Sequence, residues 1–301
     1  MKYPYTIVDV FTKERLKGNP LAVVFDADNL MDDQMQEIAK EFNLSETVFI
    51  RRPKTERHLA ELRIFTPGSE LPFAGHPTVG AAVLLGLKMR TSAIRLEEQV
   101  GTIVAITEKT SKTSGHARFG LPEIPHFVEA APENARIADT LGLDEGQIGC
   151  GELQPAVYSA GVPFVLVPVA HAAALSSIKL ERRGWSATYN GVSAQVYAFT
   201  VLNNDRGAQF AARAFVELAS LDEDAATGSA AAALCGLLSD LYYDADGLTD
   251  FVIRQGVEMG RTSYIEAQIR KEGGTLTHAG IGGHAIVIAE GTLNLEDPLI
   301  A

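Results

Sequence analysis

Cysteine, basic charge and long apolar runs are all scarce in this sequence. Two cysteines, Cys150 and Cys235, occur in 301 residues, which is too few for a disulfide framework or a zinc site of the CxxC type. Lysines and arginines number 26 against 38 aspartates and glutamates, so the net charge is −12 and the basic face of a phosphate-backbone binder is missing. We expect a reduced, cytoplasmic protein that binds no nucleic acid.

One uncharged stretch is long enough to suggest a membrane span, but folded structure explains it better. Residues 156–175 include Pro163 and Pro168, which disfavour a spanning helix. The apolar residues around Phe164 alternate along the chain, as in a buried strand followed by a turn. The N-terminus also lacks an apolar core of signal-peptide length before charged residues arrive. No membrane association is therefore expected.

The length, about twice that of a ~150-residue domain, predicts two domains. Apolar residues make up 46% of the chain and charged residues 21%, as in an ordinary globular protein. The strand pattern weakens around the three prolines between residues 122 and 132, where we place the boundary. The predicted domains are residues 1–118 and 119–288, and the segment from about residue 289 to 301 is expected to return to the first.

Alternating β-forming residues predict strands in both halves. The predicted strands cover residues 5–10, 21–25, 47–51, 59–65, 93–96, 101–106, 157–159, 163–167, 196–202, 251–255, 264–270 and 284–289. The spacing of apolar residues over Met31–Phe42 predicts a helix, with acidic residues in its first turn, where the helix dipole favours them. Residues 18–20, Gly-Asn-Pro, are predicted to form a turn.

Two further segments, His76–Leu85 and Thr227–Leu238, are apolar almost all round. A helix that is apolar on every side is buried, and both segments are too short to cross a membrane. We therefore predict an α+β fold with a distant internal repeat of about 150 residues. Each of two similar domains is a mostly antiparallel sheet or barrel wrapped around one central helix, and the active site is expected in the cleft between them.

The starts of the two buried helices suggest an anion site. Helix N-termini leave backbone N–H groups without partners, so they bind carboxylates or phosphates. Gly75 lies at the first start, and Gly228 at the second. The alternative is that Thr227 and Ser229 are simple helix caps and that Gly75 is a simple turn. Their matching places in both halves favour the anion site.

Candidate acids and bases lie close to these helix starts. In the run Asp222, Glu223, Asp224, the first two suit a charged turn stabilised by the helix dipole, and Asp224 is the better site candidate. The helix dipole discourages protonation of His76, so a neutral imidazole is expected there. The alternative is that His76 is a structural histidine with satisfied hydrogen bonds. Glu46 lies at the mouth of an apolar strand, where a carboxyl group can carry a proton near neutral pH. From its spacing alone, Glu46 is equally well a solvent-facing residue.

Four motifs, in this order, resemble the PhzF-like phenazine-biosynthesis isomerase family. They are GNPLAVV at 18–24, NLSETVF at 43–49, LPFAGHPT at 71–78 and EDAATGSA at 223–230. The later QG at 255–256, MGR at 259–261 and GGHA at 282–285 also look like that family. The resemblance runs over nearly the full length, and it departs from the family at Ala225, where proline is usual.

The resemblance implies a diaminopimelate-epimerase-like fold and proton transfer without a cofactor or a metal. It implies that Glu46 is the general acid/base and that His76, Asp224 and Ser229 orient the substrate and polarise its developing charge. The residues expected to bind the substrate are Asn19, Gly75, Thr227 and Gly228. The implied activity resembles isomerisation of trans-2,3-dihydro-3-hydroxyanthranilate, a small carboxylate-bearing substrate, by a homodimer.

Alternative functions on the same fold stay open at this point. The epimerases and proline racemases of this fold use one cysteine at each central helix start, but here those places hold Gly75-His76 and Ala226-Thr227. Cys235 falls inside the second apolar helix and is expected to be a core residue. A lyase, epimerase or racemase that acts on another small cyclic or amino acid is one alternative. A non-catalytic protein that binds a small acid is the other.

Overall fold

The computed structural model describes residues 1–89, 92–193, 195–205, 207–215 and 223–295, with the side chains of residues 203–205 left aside. The chain divides into two compact units. The first consists of Met1–Pro122 and the C-terminal segment that begins at Gly282. The second is Glu123–Ile281. Each unit is described separately below.

The first unit is a closed barrel of eight strands. Its strands are β1 (Lys2–Val10), β2 (Asn19–Val24), β3 (Glu46–Arg51), β4 (Ala60–Phe65), β6 (Ala93–Glu98), β7 (Gly101–Lys109), β8 (Ser114–Gly120) and the later part of β16 (Thr275–Asn294). They follow this order around the barrel, and β16 pairs back with β1. The short β5 (Glu70–Leu71) pairs with β4. Pairs β2–β3 and β4–β6 are parallel, and each parallel pair is joined through a helix.

Helix α2 (Gly75–Lys88) is the central helix of this unit, while α1 (Asp32–Phe42) joins β2 to β3. All residues of α2 from Gly75 to Gly86 are buried, and the helix packs against β1, β2, β3, β7 and β8. At Gly80, a Cβ atom would lie 2.6 Å from Leu21 Cδ2, so glycine is what allows this close approach to the barrel wall. The prediction of a buried helix here is confirmed.

The second unit also consists of strands packed around one central helix. Its strands are β9 (His126–Ala130), β10 (Ala156–Ser159), β11 (Pro163–Pro168), β12 (Val196–Asp205), β13 (Ala208–Phe215), β14 (Gly247–Gln255), β15 (Ser263–Glu272) and the first part of β16. In space they run from β16 through β15 back to β9, and β11–β12 and β13–β14 are the parallel pairs. Its helices are α3 (Asn134–Leu141), α4 (Ala172–Ser177), α5 (Trp185–Thr188) and α6 (Gly228–Leu241).

Helix α6 has the central position in the second unit, as α2 has in the first. It packs against β9, β10, β11 and β15, and most of its residues are buried. Both central helices have 14 residues, and their starts at Gly75 and Gly228 are 228 − 75 = 153 positions apart. Cys235 is fully buried, and burial raises the pKa of its thiol to about 12, so it is a core residue as predicted. The predicted fold class is confirmed.

Some element boundaries differ from those predicted. Asn19 and Pro20 open strand β2 instead of forming the predicted turn; proline is tolerated at the start of a strand. Strands β8, β9 and β13 were not predicted. In β13 the reason is its alanine content, because alanine does not favour strands. Within the described residues, every helix is too short or too polar to cross a membrane.

Candidate active site

Three of the predicted site residues meet at the start of α2. Asn19 is the first residue of β2 and Glu46 the first of β3, and these strands run parallel, with Leu21 paired to Glu46. Parallel neighbours begin at the same edge of the sheet. His76 is the second residue of α2. The topology of the first unit therefore gathers an amide, a carboxyl group and an imidazole from three separate motifs.

These side chains form a short chain of contacts. His76 Nε2 lies 3.3 Å from Glu46 Oε2, and His76 Nδ1 lies 3.4 Å from Asn19 Nδ2. His76 and Asn19 are buried, whereas the Glu46 side chain keeps 14% of its surface exposed. When the Asn19 amide donates to Nδ1, the imidazole proton is on Nε2 and faces Glu46. Glu46 is therefore the member of the chain with the most exposed side chain.

Burial determines the charge of His76. It lowers the pKa of the imidazole to about 3, so His76 is neutral at physiological pH. The contact with Glu46 is therefore one between a neutral imidazole and a carboxyl group. The sequence predicted a neutral imidazole from the helix dipole. The structure gives burial as the main cause.

The start of α2 also presents backbone donors. Its N-cap residue is Ala74, and no side chain caps the helix. Gly75 and His76 are its first two residues, and Pro77 is the third rather than the first, so it removes one N–H group from the first turn. The remaining N–H groups lie beside His76, where an anion or a carbonyl oxygen is favoured. The substrate-binding role of Gly75 remains a prediction.

The second unit holds the other predicted residues at the start of α6. Thr227 is the N-cap residue, but its side chain makes no capping bond to the helix. Its hydroxyl instead donates to Asp224 Oδ2 at 2.7 Å. Gly228 and Ser229 are the first and second helical residues, and Ser229 is half-buried. The Thr227 side chain is therefore not a helix cap, and the substrate-binding roles of this segment remain predictions.

Two carboxylates precede α6 and have different partners. The Glu223 carboxylate accepts from Arg213 Nε at 2.8 Å and from Arg213 Nη2 at 2.7 Å, so a specific ion pair rather than the helix dipole holds it. Asp224 is buried, and its backbone N–H donates to Ala214 O. Asp222 lies outside the described residues. The role of Asp224 as a site residue remains a prediction.

Gln255, to which sequence reasoning gave no role, contacts two of the predicted site residues, Asp224 and Thr227. It is fully buried at the end of β14 and donates to Asp224 O at 2.8 Å and to Thr227 Oγ1 at 3.0 Å. Its carbonyl oxygen accepts from Thr227 N–H at 3.1 Å and from the Tyr197 hydroxyl at 3.0 Å. The QG motif at 255–256 was its sequence signal, but that motif assigned no role to the glutamine.

Comparison with known proteins places the chain among isomerases. A family model described as phenazine biosynthesis-like protein matches residues 8–291. An uncharacterized isomerase of Mesorhizobium japonicum is 40% identical over 96% of this chain and 98% of its own length. The trans-2,3-dihydro-3-hydroxyanthranilate isomerase of Pseudomonas chlororaphis is 34% identical over 97% and 99%. A solved PhzF-family protein of Bacillus anthracis has a TM-score of 0.88 at 22% identity, covering 98% of this chain and 100% of its own.

These relatives define the class of protein: the chain is an isomerase. In keeping with this class, each of its two central helices begins at a cluster of polar residues. The solved structure shares its two-unit fold over nearly the full length. Within that class the chain belongs to the PhzC-PhzF family, whose model covers most of it. The predicted family and enzyme class are confirmed, and the roles of the individual site residues remain predictions.

Proposed function

We propose that this isomerase moves a proton between two carbons of a small carboxylate-bearing substrate, with Glu46 as the general acid/base. The substrate proposed first is trans-2,3-dihydro-3-hydroxyanthranilate, because relatives at 34% identity carry that activity in their names. The observation that carries the proposal is the contact between Glu46, whose side chain is partly exposed, and His76, which is buried and neutral.

A neutral imidazole suits a carboxyl group that must both take up and release a proton. An imidazolium next to Glu46 would favour the ionised carboxylate throughout the reaction. Neutral His76 instead lies beside the carboxyl group without a positive charge, so it does not fix the charge state of Glu46. With 14% of its side chain exposed, Glu46 is largely desolvated and still within reach of a small molecule. Glu46 therefore removes the proton from one carbon and returns it to another.

The first turn of α2 supplies the electrostatic part of this proposal. Proton removal next to a carboxylate or carbonyl group places negative charge on oxygen, and preorganised N–H groups stabilise that charge. The N–H groups of Gly75 and His76 lie at a helix start that no side chain caps. Asp224 and Ser229 remain predicted partners for other polar groups of the substrate.

The test is turnover of trans-2,3-dihydro-3-hydroxyanthranilate followed by NMR in deuterated water. Glu46→Gln keeps the shape of the side chain and removes its acid/base function, so we expect turnover to fall by roughly 10²- to 10⁴-fold. Thermal unfolding monitored by circular dichroism confirms that the variant is folded. Wild-type-like turnover by Glu46→Gln would contradict the role of Glu46.

The matched control is Glu61→Gln. Glu61 is also a mostly buried strand glutamate, but it pairs with Arg51 across β3 and β4, at the end of β3 opposite to Glu46. The Glu61→Gln variant should keep wild-type turnover. If wild type does not convert this substrate, the substrate assignment is wrong. Other small cyclic acids and amino acids are then tested for deuterium incorporation. A substrate that wild type and Glu61→Gln label, but Glu46→Gln does not, identifies the reaction that Glu46 serves.

A further inference from the structure

We propose that Gln255 and Thr227 are positioning residues that hold the Asp224 carboxylate in a single orientation. The proposal rests on the proposed function, in which Asp224 orients the substrate. All the groups involved lie in the second unit and are at least nine-tenths buried. The hydrogen bonds run in one direction, from the Gln255 amide to the Thr227 hydroxyl and from that hydroxyl to Asp224 Oδ2.

Gln255 has no spare hydrogen-bonding capacity. A side-chain amide has two N–H donors and two acceptor positions on its oxygen, and here two donors and two acceptors are used. Turning the amide over would place its NH₂ group against the Thr227 N–H and would leave Asp224 O facing an oxygen. One orientation of Gln255 is therefore strongly preferred, and its two donors always point at Asp224 O and Thr227 Oγ1.

The orientation of Gln255 sets that of the Thr227 hydroxyl. Thr227 Oγ1 accepts from Gln255 Nε2 at 3.0 Å, so its single proton is available for Asp224 Oδ2 at 2.7 Å. A hydroxyl that donates to a carboxylate forms a strong, short hydrogen bond. The backbone of Asp224 is held as well, by Ala214 O on its N–H and by Gln255 on its carbonyl oxygen. Both the backbone and the carboxylate of Asp224 thus have fixed partners.

The support for Asp224 comes from regular structure, which limits its movement. Gln255 is the last residue of β14, and its side chain also accepts from Tyr197 on β12. Thr227 is the N-cap residue of α6. A functional group held by residues on strands and helices is placed more accurately than one on an unsupported loop. Small displacements of such a group lower the rate of reaction much more than they lower stability.

A double-mutant cycle tests the proposal in the full-length enzyme. Thr227→Val keeps the volume of the side chain and removes the hydroxyl, and we expect kcat to fall by about 10²-fold with a smaller change in KM. In the Asp224→Asn background, the same substitution should cost less than about threefold, because the group that it positions is already altered. Thr227→Ser, which keeps the hydroxyl, should restore kcat. Equal losses in both backgrounds would overturn the proposal.

A matched control and a second variant separate positioning from folding. Thr140→Val removes a hydroxyl that is buried in α3 and bonds Ile137 O and Tyr189, so it should lower stability and leave kcat unchanged. Gln255→Glu keeps the shape of the amide and removes the donor to Thr227, so it should lower kcat as Thr227→Val does. A Gln255→Glu variant that is folded and has wild-type kcat would also overturn the proposal.

Crystal structures of the Thr227→Val and Thr227→Ser variants provide a readout that does not depend on turnover. The Asp224 carboxylate should rotate in the valine variant and keep its orientation in the serine variant. If wild type converts no substrate, the proposed function fails while these structures still decide the positioning role. An unchanged carboxylate in Thr227→Val contradicts that role, whatever the activity.

Discussion

At the scale of single residues, the pair formed by Thr78 and Glu98 shows how burial changes the charge state of a side chain. Thr78 Oγ1 lies 2.7 Å from both Ala74 O and Glu98 Oε1. One hydroxyl proton cannot serve both acceptors, but a protonated Glu98 donates to Thr78, which then donates to Ala74 O. Burial raises the pKa of Glu98 to about 8, which agrees with this arrangement. Glu98 is therefore neutral at the first turn of α2.

The raised pKa of Glu98 predicts that stability decreases as pH rises. The unfolded chain loses this proton near pH 4.5, whereas the folded protein keeps it up to about pH 8. Between these values the unfolded state is favoured increasingly, and above pH 8 the effect is constant. Glu98→Gln keeps a donor to Thr78 and removes the titration. The unfolding free energy of the Glu98→Gln variant minus that of wild type should therefore increase by on the order of a few kcal/mol from pH 5 to pH 8.

Urea unfolding at pH 5 and pH 8 measures this difference. Asp246→Asn is the control, because the backbone N–H groups of Gly274 and Gly273 lower the pKa of Asp246. Asp246 is then ionised in both the folded and the unfolded protein across this range, so its substitution should have the same effect at both pH values. A stability gain from Glu98→Gln that is independent of pH would show that Glu98 is ionised in the folded protein.

Individual residues also show what the sequence could predict about the site. The motifs around Glu46 and His76 identified both residues, and the structure places them 3.3 Å apart. Gln255 and Glu98 were missed because their importance depends on partners that are distant in sequence. Gln255 bonds Asp224, 31 residues away, and Glu98 bonds Thr78, 20 residues away. Neither contact leaves a periodic signal in the chain.

At the scale of secondary structure, the turn after β14 brings this strand against the segment that contains Asp224. Gly256 has a φ of +74°, and a Cβ atom there would lie 2.5 Å from Ala225 O and 2.6 Å from Arg261 O. Glycine is thus required both by its conformation and by the two backbone carbonyl groups that approach it. This close packing allows Gln255, the residue before it, to reach the Asp224–Thr227 segment.

Gly256→Ala and Gly260→Ala separate the cost of a positive φ from the cost of crowding by backbone carbonyl groups. Both glycines have positive φ values, +74° and +69°, but at Gly260 there is open space around the position of a Cβ atom. Gly260→Ala should cost about 1–2 kcal/mol from its conformation alone. Gly256→Ala should cost roughly 1–3 kcal/mol more from crowding, and it should lower kcat because Gln255 moves. Equal unfolding free energies in denaturant titrations would contradict the crowding of Gly256.

The secondary structure elements differ in how well the sequence predicts them. Alternating β-branched and aromatic residues located β3 and β4 to within one residue. The alanines of β13 hid that strand, since they carry no strand preference. Strand β16 is 20 residues long, but only residues 284–289 were predicted. Glycines within β16 interrupt the strand signal, although pairing with its neighbours keeps the chain extended.

At the scale of the whole molecule, the first unit is discontinuous in sequence. Its barrel closes when β1 pairs with the later part of β16, from Lys2 opposite Asn294 to Val10 opposite Ala285. The second unit, Glu123–Ile281, lies between β8 and that closing segment in the chain. The two apolar helix segments predicted two similar domains, and the segment from about residue 289 was expected to return to the first. The register in which β1 pairs with β16 depends on long-range contacts that local patterns do not encode.

Fragments of the chain should differ in their ability to fold. Residues 1–122 lack the strand that closes the barrel and leave the edges of β1 and β8 unpaired, so this fragment should aggregate. Residues 123–281 are continuous and contain α6 with the strands around it, so they should give a dispersed NMR spectrum. Joining residues 1–122 to residues 282–301 through a short linker should restore folding. A folded 1–122 fragment would contradict the need for the closing strand.

The late position of the closing strand also sets the order of events during synthesis on the ribosome. Multidomain chains generally fold their N-terminal domain first as the polypeptide emerges. Here the N-terminal barrel waits for residues 285–294, by which time the second unit has already been synthesised. The nascent chain must therefore keep the edges of β1 and β8 from pairing incorrectly until residues 285–294 have been synthesised.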